Sequence, residues 1–128
     1  ILKYRSAKHP VGVIKWNKHN SLIASTHNDS IAIWSLDSEQ GALQSVLDGH
    51  TRAVTDIDWQ AKSRPHILAS AGSDKFIHMW DTRKPKKAFT MRSLQSHNEH
   101  ATSLRWNRQK DSILASAHGR QVRFWDVR

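Results

Sequence analysis

Gly49-His50-Thr51-Arg52-Ala53-Val54-Thr55-Asp56-Ile57-Asp58-Trp59, followed by Ile67-Leu68-Ala69-Ser70, Ser73-Asp74 and Ile77-His78-Met79-Trp80-Asp81, is the stretch that decides the fold. Its apolar runs are short, rich in β-branched residues and separated by polar turn residues. That is the signature of strands, and no part of it sustains a helical period. The same pattern lies on either side. Trp16, Trp59 and Trp106 are spaced 43 and 47 residues apart, and Trp34, Trp80 and Trp125 are spaced 46 and 45. Leu22-Ile23-Ala24-Ser25 and Ile113-Leu114-Ala115-Ser116 repeat the Leu68-Ala69-Ser70 segment. Periods of this length mark repeat architectures in which each unit covers the apolar face of the next.

The spacing predicts strands near 11–16, 22–25, 30–35, 42–47, 54–59, 67–70, 76–81, 86–94, 101–106, 113–116 and 121–126, with a further one at 2–5. The repeats are expected at about 1–41, 42–85 and 86–128.

Gly-His and Trp-Asp dipeptides framing repeats of 40–45 residues are the mark of WD-type propeller blades. On Gly49-His50, Leu68-Ala69-Ser70, Ser73-Asp74 and Trp80-Asp81 the chain resembles the WD-repeat family. The resemblance implies an all-β propeller segment of three consecutive antiparallel blades. A propeller uses roughly 4–8 blades, so the ring is expected to be incomplete. Each sequence repeat then begins with the outermost strand of the preceding blade. The chain opens at Ile1 without a methionine and is expected to be a segment of a longer one.

The resemblance also gives His50, Ser70, Asp74 and Trp80 a structural role, as a hydrogen-bonded chain tying a loop to the sheet. The same residue types could make a hydrolase triad. Their placement at the family's structural positions favours the structural role, and no catalytic residues are expected. The outer repeats depart from the pattern: the third has Ser96-His97 for Gly-His and Gly119 at the aspartate position. The first lacks a histidine at the matching offset, leaves Asn28 or Asp29 to serve in its turn, and ends Trp34-Ser35. The middle blade is therefore expected to be the most rigid.

With 20 Lys+Arg against 11 Asp+Glu, the chain carries a formal charge of +9. Such a surplus attracts acidic proteins, anionic lipid or nucleic acid. Family geometry assigns ten basic residues to the bottom loops: Lys18, Lys62, Arg64, Arg83, Lys84, Lys86, Lys87, Arg108, Lys110 and Arg128. Beside them stand Asp37, Glu39 and Asp111. Arg83, Lys84, Lys86, Lys87, Arg108 and Lys110 form a candidate partner-binding bottom face. On the top face Arg52, His27, His100 and His118 are the candidates, with Ser73 taken as the middle-blade counterpart of His27 and His118.

Nine histidines raise the question of a metal, but there is no cysteine and no helical histidine pair, so neither metal nor cofactor is expected. The absence of cysteine excludes disulfides. No phosphate-cradling glycine loop occurs, and the aromatics fall on strands, which weighs against nucleotide and nucleic acid. No signal-peptide pattern opens the chain, and Asn28-Asp29-Ser30 fits the glycosylation sequon without a secretory context.

Within the family, Gly49 through Trp59, Phe76 through Pro85, Leu104 through Arg108, and Ala115-Ser116-Ala117-His118-Gly119 through Trp125-Asp126 are similar to WD-repeat subunits of the SEA/GATOR assembly. These subunits also carry an RWD domain and a zinc-binding RING-like end. That likeness implies a non-catalytic scaffold in a multi-subunit complex regulating the TOR kinase in response to nutrients, at a vacuolar or lysosomal surface. Two alternatives remain. Trp80-Asp81-Thr82-Arg83 and Trp125-Asp126-Val127-Arg128 match the W-D-x-R pattern of substrate receptors for cullin-type ubiquitin ligases. A chromatin-associated, histone-binding propeller is the other, though an acidic channel would suit it better than this basic chain.

Overall fold

The computed structural model describes residues 9–37, 42–84, 88–89 and 99–128. The predicted strand at 2–5, Glu39, Lys86, Lys87 and Ser96-His97 lie outside the described residues.

Among the described residues, eleven strands form three antiparallel sheets. The first contains β1 (Ile14–Trp16), β2 (Leu22–His27), β3 (Ser30–Ser35) and β4 (Ala42–Asp48) in sequence order. The second contains β5 (Val54–Trp59), β6 (Ile67–Gly72), β7 (Ile77–Asp81) and β8 (Ala88–Phe89). The third has β9 (Ser103–Trp106), β10 (Ile113–His118) and β11 (Gln121–Asp126). Each sheet is a meander, since each strand pairs with its sequence neighbour. β4 lies at the start of the second repeat yet pairs with β3, so it closes the first sheet as its outer strand.

The innermost strands set the blades side by side: β1 contacts β5, and β5 contacts β9. Strand alternation decides which residues enter each joint. On β5, Ile57 and Trp59 face the first blade and Asp56 and Asp58 face the third. The first joint is apolar. Leu22, Ala24, Ile31, Ile33 and Leu47 pack against Val54, Ile57, Trp59, Leu68 and Trp80. Trp59 Nε1 donates to Lys15 O across that joint at 3.0 Å. The second joint combines an apolar cluster with buried carboxylates. Ala69, Ala71 and Ile77 meet Ala101, Leu104, Trp106 and Leu114. Asp56 accepts from Leu104 N at 2.8 Å and from Arg105 Nη1 at 2.6 Å, and Asp58 accepts from Trp106 N at 2.8 Å. Burial lifts the Asp58 carboxyl above its usual range, against the Trp106 amide, which lowers it.

The ring is open. Val11, Ile14 and Trp16 are 55%, 59% and 48% exposed at the leading end, whereas Ile57 and Trp59, at the positions of Ile14 and Trp16, are buried. Val122 and Phe124 are 65% and 73% exposed at the trailing end. Two bare apolar ends on one small molecule invite head-to-tail association. Gel filtration of the 128-residue chain is expected to show concentration-dependent self-association; a monomer at all concentrations would contradict it.

Candidate functional site

In the middle blade the polar residues of the repeat form one continuous chain. Trp80 Nε1 donates to Ser70 Oγ at 2.8 Å, and Ser70 Oγ lies 2.7 Å from His50 Nε2. His50 Nδ1 reaches Asp74 Oδ2 at 2.9 Å, and Thr51 N and Phe76 N donate to the same carboxylate. An indole N–H can only donate, so the Ser70 hydroxyl gives its proton to Nε2 and His50 Nδ1–H goes to Asp74. Ser70 is fully buried. Burial lowers the His50 pKa although Asp74 opposes it. Burial alone would raise the Asp74 carboxyl, but the Thr51 and Phe76 amides and His50 together hold it below its usual range.

The outer blades reach the same serine by another route. Trp34 Nε1 donates to Ser25 Oγ at 2.8 Å, and Ser25 Oγ is 2.7 Å from His27 Nε2. Trp125 Nε1, Ser116 Oγ and His118 Nε2 repeat this with the same two distances. In both, the histidine sits two residues after the serine on the same strand. The reason lies in the turns. His27 pairs with Ser30 and His118 with Gln121, so each hairpin has a two-residue loop. Asn28 and Gly119 take its left-handed position, at φ 55° and 50°. Such a tight loop has no room for an Asp74 equivalent. In the middle blade Ala71 pairs with Ile77, and the five residues between them carry Asp74.

His27 and His118 are therefore withdrawn from the top-face candidates. They are 2% and 1% exposed and cannot meet a partner. Their counterpart, aligned on the serine, is Gly72 and not Ser73. Asn28 and Asp29 build the first-blade turn instead of substituting for Asp74, and both are exposed. Arg52 and His100 are exposed on the top loops.

At the bottom, Arg83, Lys84, Arg108 and Lys110 are all exposed. The expectation that only Asp37, Glu39 and Asp111 stand beside the basic loops is corrected by three strand-end aspartates. Arg83 binds Asp81 through Nε at 2.9 Å and Nη2 at 2.7 Å. Arg128 clasps Asp126 in the same way. Arg108 Nη2 reaches Asp58 at 3.4 Å. The Arg83 hydrogen bonds hold the Asp81 carboxyl below its usual range. Among the described residues, Lys84 and Lys110 carry no ion pair, so the surplus charge rests on lysines more than on arginines.

Among the described residues, one group has the composition and spacing to hold a metal ion: donor atoms of His50, Asp74 and His78 lie within 4.8 Å of one another. Sequence spacing gave no sign of it, because His78 comes from β7 and the other two from loops. His50 already spends both ring nitrogens on Ser70 and Asp74, so a metal would have to displace that chain.

Burial lowers the pKa of His50, His78 and His118 alike. An unfolded histidine takes up a proton near pH 6.5, whereas burial makes these take one up only at lower pH when folded. Below that pH the unfolded state binds more protons, so stability present above about pH 6.5 is lost as pH falls. The urea midpoint is expected to drop between pH 7.5 and 5.5; a flat or rising midpoint would contradict this.

Residues 41–81 and 89–126 match the WD domain, G-beta repeat family. The chain belongs to the WD-repeat family. This WD-repeat chain is 38% identical over 118 residues to an uncharacterized RWD, RING finger and WD repeat-containing protein of Schizosaccharomyces pombe, covering 89% of this chain and 9% of that protein. It is 32% identical over 130 residues to the GATOR2 complex protein WDR59 of Homo sapiens, covering 97% of this chain and 13% of WDR59. The chain thus spans a small part of the curated relatives it matches. A chain in the solved structure of the COPII outer coat vertex on membranes superposes with a TM-score of 0.80 at 25% identity, over 94% of this chain and 34% of that one.

Proposed function

We propose that this propeller segment is a non-catalytic protein-interaction scaffold within a multi-subunit complex, presenting its basic bottom face to an acidic partner. The observation that carries the reading is the fate of the serine–histidine pairs. Each of the three is buried and terminated on a tryptophan, so the residues that resemble a hydrolase instead fasten a strand. The exposed chemistry is that of loops: among the described residues Lys84 and Lys110 carry no ion pair, and Lys86 and Lys87 follow Lys84 in the sequence. Likeness to a GATOR2 complex protein along 97% of the chain supports membership of a nutrient-responsive assembly acting on the TOR kinase, in the cytoplasm or at a vacuolar or lysosomal surface.

Lys84→Glu, Lys86→Glu and Lys87→Glu together are expected to weaken assembly without lowering the melting temperature, because exposed loop charges contribute little to stability. Rim charges act chiefly on association rate, so raised salt should produce the same defect in the unmodified protein. Co-purification of the complex from cells carrying the triple variant checks this. Assembly indifferent both to the variant and to salt would overturn the reading and move attention to Arg52 and His100.

A further inference from the structure

The basic face is not uniform. Between the second and third blades it opens into a cleft of about 610 Å³. Ligand pockets are typically 300–1,000 Å³. Ile67, Met79, Trp106 and Val127 supply its apolar wall, and Arg64, Arg83, Lys84 and Arg128 ring it with charge.

Two features make this cleft more than a gap between sheets. The first is a departure from the repeat. Asn17 and Asn107 cap their own bottom loops, Asn17 through Ser21 N and Leu22 N and Asn107 through Gln109 N and Lys110 N. At the matching position the middle blade has Gln60, whose longer side chain reaches across the joint and donates to Asp111 O. Its Oε1 is left without a partner, as is Trp106 Nε1. Gln60 and Trp106 both line the cleft, and both are more than nine-tenths buried. Trp59, the equivalent of Trp106, has its indole N–H satisfied by Lys15 O. Gln60 Oε1 and Trp106 Nε1 are thus buried polar atoms without a partner on two residues of the cleft wall.

The second feature is the orientation of the arginines. Asp81 holds Arg83 and Asp126 holds Arg128, each through two guanidinium nitrogens. Both arginines line the same cleft. A guanidinium has five N–H groups, so each clasp fixes the plane and leaves donors for a second carboxylate. Fixing them beforehand lowers the entropy lost when an anion binds.

We propose that this cleft is the docking site for an acidic peptide segment of a partner protein, one apolar side chain seated against Met79 and Val127 and flanking carboxylates on Arg64, Arg83 and Arg128. Charge complementarity selects the occupant: among the described residues, four cationic side chains ring an apolar wall, and Asp81 is the one acidic residue lining it. The inference rests on the basic-face reading and narrows it to one place.

The test uses the intact protein and fluorescence anisotropy with a labelled eight-residue Asp/Glu peptide carrying a central leucine. Arg64→Glu is expected to weaken binding at least tenfold, and Val127→Trp, which fills the cleft, at least fivefold. Replacing the peptide's leucine by serine should also weaken it at least fivefold. Lys110→Glu, on the same face outside the cleft, should weaken it less than threefold, and Arg120→Glu, on the opposite face, should leave it unchanged. Equal losses from Arg64→Glu and Lys110→Glu, with no effect of the leucine, would overturn the cleft and leave a diffuse basic face standing. No peptide binding while complex assembly stays salt-sensitive would do the same. Binding of phosphatidylserine vesicles, but not of the peptide, with the same dependence on Arg64 would overturn it in favour of a lipid surface. Absence of peptide binding together with salt-insensitive assembly would remove both the cleft and the basic-face reading.

Discussion

Gly72→Ala is expected to destabilise the protein by about 3 kcal/mol, a large effect for one added methyl group. The Cβ would stand 2.4 Å from His50 Nδ1, 2.6 Å from Asp74 Oδ1 and 2.9 Å from His50 Cε1. None of these atoms ends a flexible side chain. The imidazole is held by Ser70 at its far nitrogen, and the carboxylate by two backbone amides. The cost is one of space, since Gly72 is not among the residues with positive φ. Adding the methyl group must push His50 off Asp74 or off Ser70, leaving buried polar groups unpaired. A double-mutant cycle checks the mechanism. In a His50→Ala background the space is already empty, so Gly72→Ala should cost less than about 1 kcal/mol, giving a coupling of about 2 kcal/mol or more. Strictly additive costs in urea denaturation would show that the glycine serves some other purpose.

Gly72 also shows where reading the sequence stopped short. The strands were legible because alternating apolar residues and paired tryptophans recur at a nearly constant spacing. The His50–Ser70–Asp74–Trp80 chain was legible because the middle repeat keeps the family pattern. Counting back from the tryptophan sets His27 and His118 opposite Ser73, which the register does not support. Ser70 and Trp80 are ten residues apart, whereas Ser25 and Trp34, and Ser116 and Trp125, are nine apart. That one-residue difference reflects the turns: Gly72 N donates to Phe76 O at 3.1 Å with three residues between them, whereas only two separate His27 from Ser30 and His118 from Gln121. Counting forward from the serine aligns His27 and His118 with Gly72. The same volume beside the serine is filled by an imidazole in all three blades, grown from the strand in two of them and delivered from the preceding loop in the third. Only where it arrives from outside must the strand residue be glycine.

The bottom face is less positive than its loops alone imply, because strand-end carboxylates pair with its arginines. Asp58, Asp81 and Asp126 belong to strand ends, so a count confined to loops passes over them. Yet a strand-end carboxylate two residues before an arginine is well placed to fold that arginine back, as Asp81 does with Arg83 and Asp126 with Arg128. The W-D-x-R pattern is therefore, in this chain, a device that orients a guanidinium as well as a source of positive charge. The cleft between the second and third blades was invisible in the sequence altogether, because it depends on Gln60 reaching over to the neighbouring blade.

Trp59→Ala is expected to be the most destabilising single substitution in the chain, at about 4 kcal/mol. Trp59 is 2% exposed and packs in the cluster that joins the first two blades. Its removal leaves a cavity too large for neighbouring strands to close, because their backbones are fixed by the ladders on both sides. It also strips the Lys15 carbonyl of its partner across the joint. Trp59→Phe separates the two contributions. It keeps most of the apolar volume and loses the hydrogen bond, so it should cost about 1–2 kcal/mol. Trp16 provides the internal comparison. It occupies the same place in its own repeat, two residues after Ile14 as Trp59 is two after Ile57, and is 48% exposed because, among the described residues, no blade packs on it. Trp16→Ala should therefore cost less than about 1 kcal/mol in the 128-residue chain. The three variants, measured by urea denaturation under one set of conditions, should rank Trp59→Ala, Trp59→Phe, Trp16→Ala. Equal costs at Trp16 and Trp59 would mean that the tryptophan stabilises its own blade and not the joint, and the account of how neighbouring blades hold together would fail.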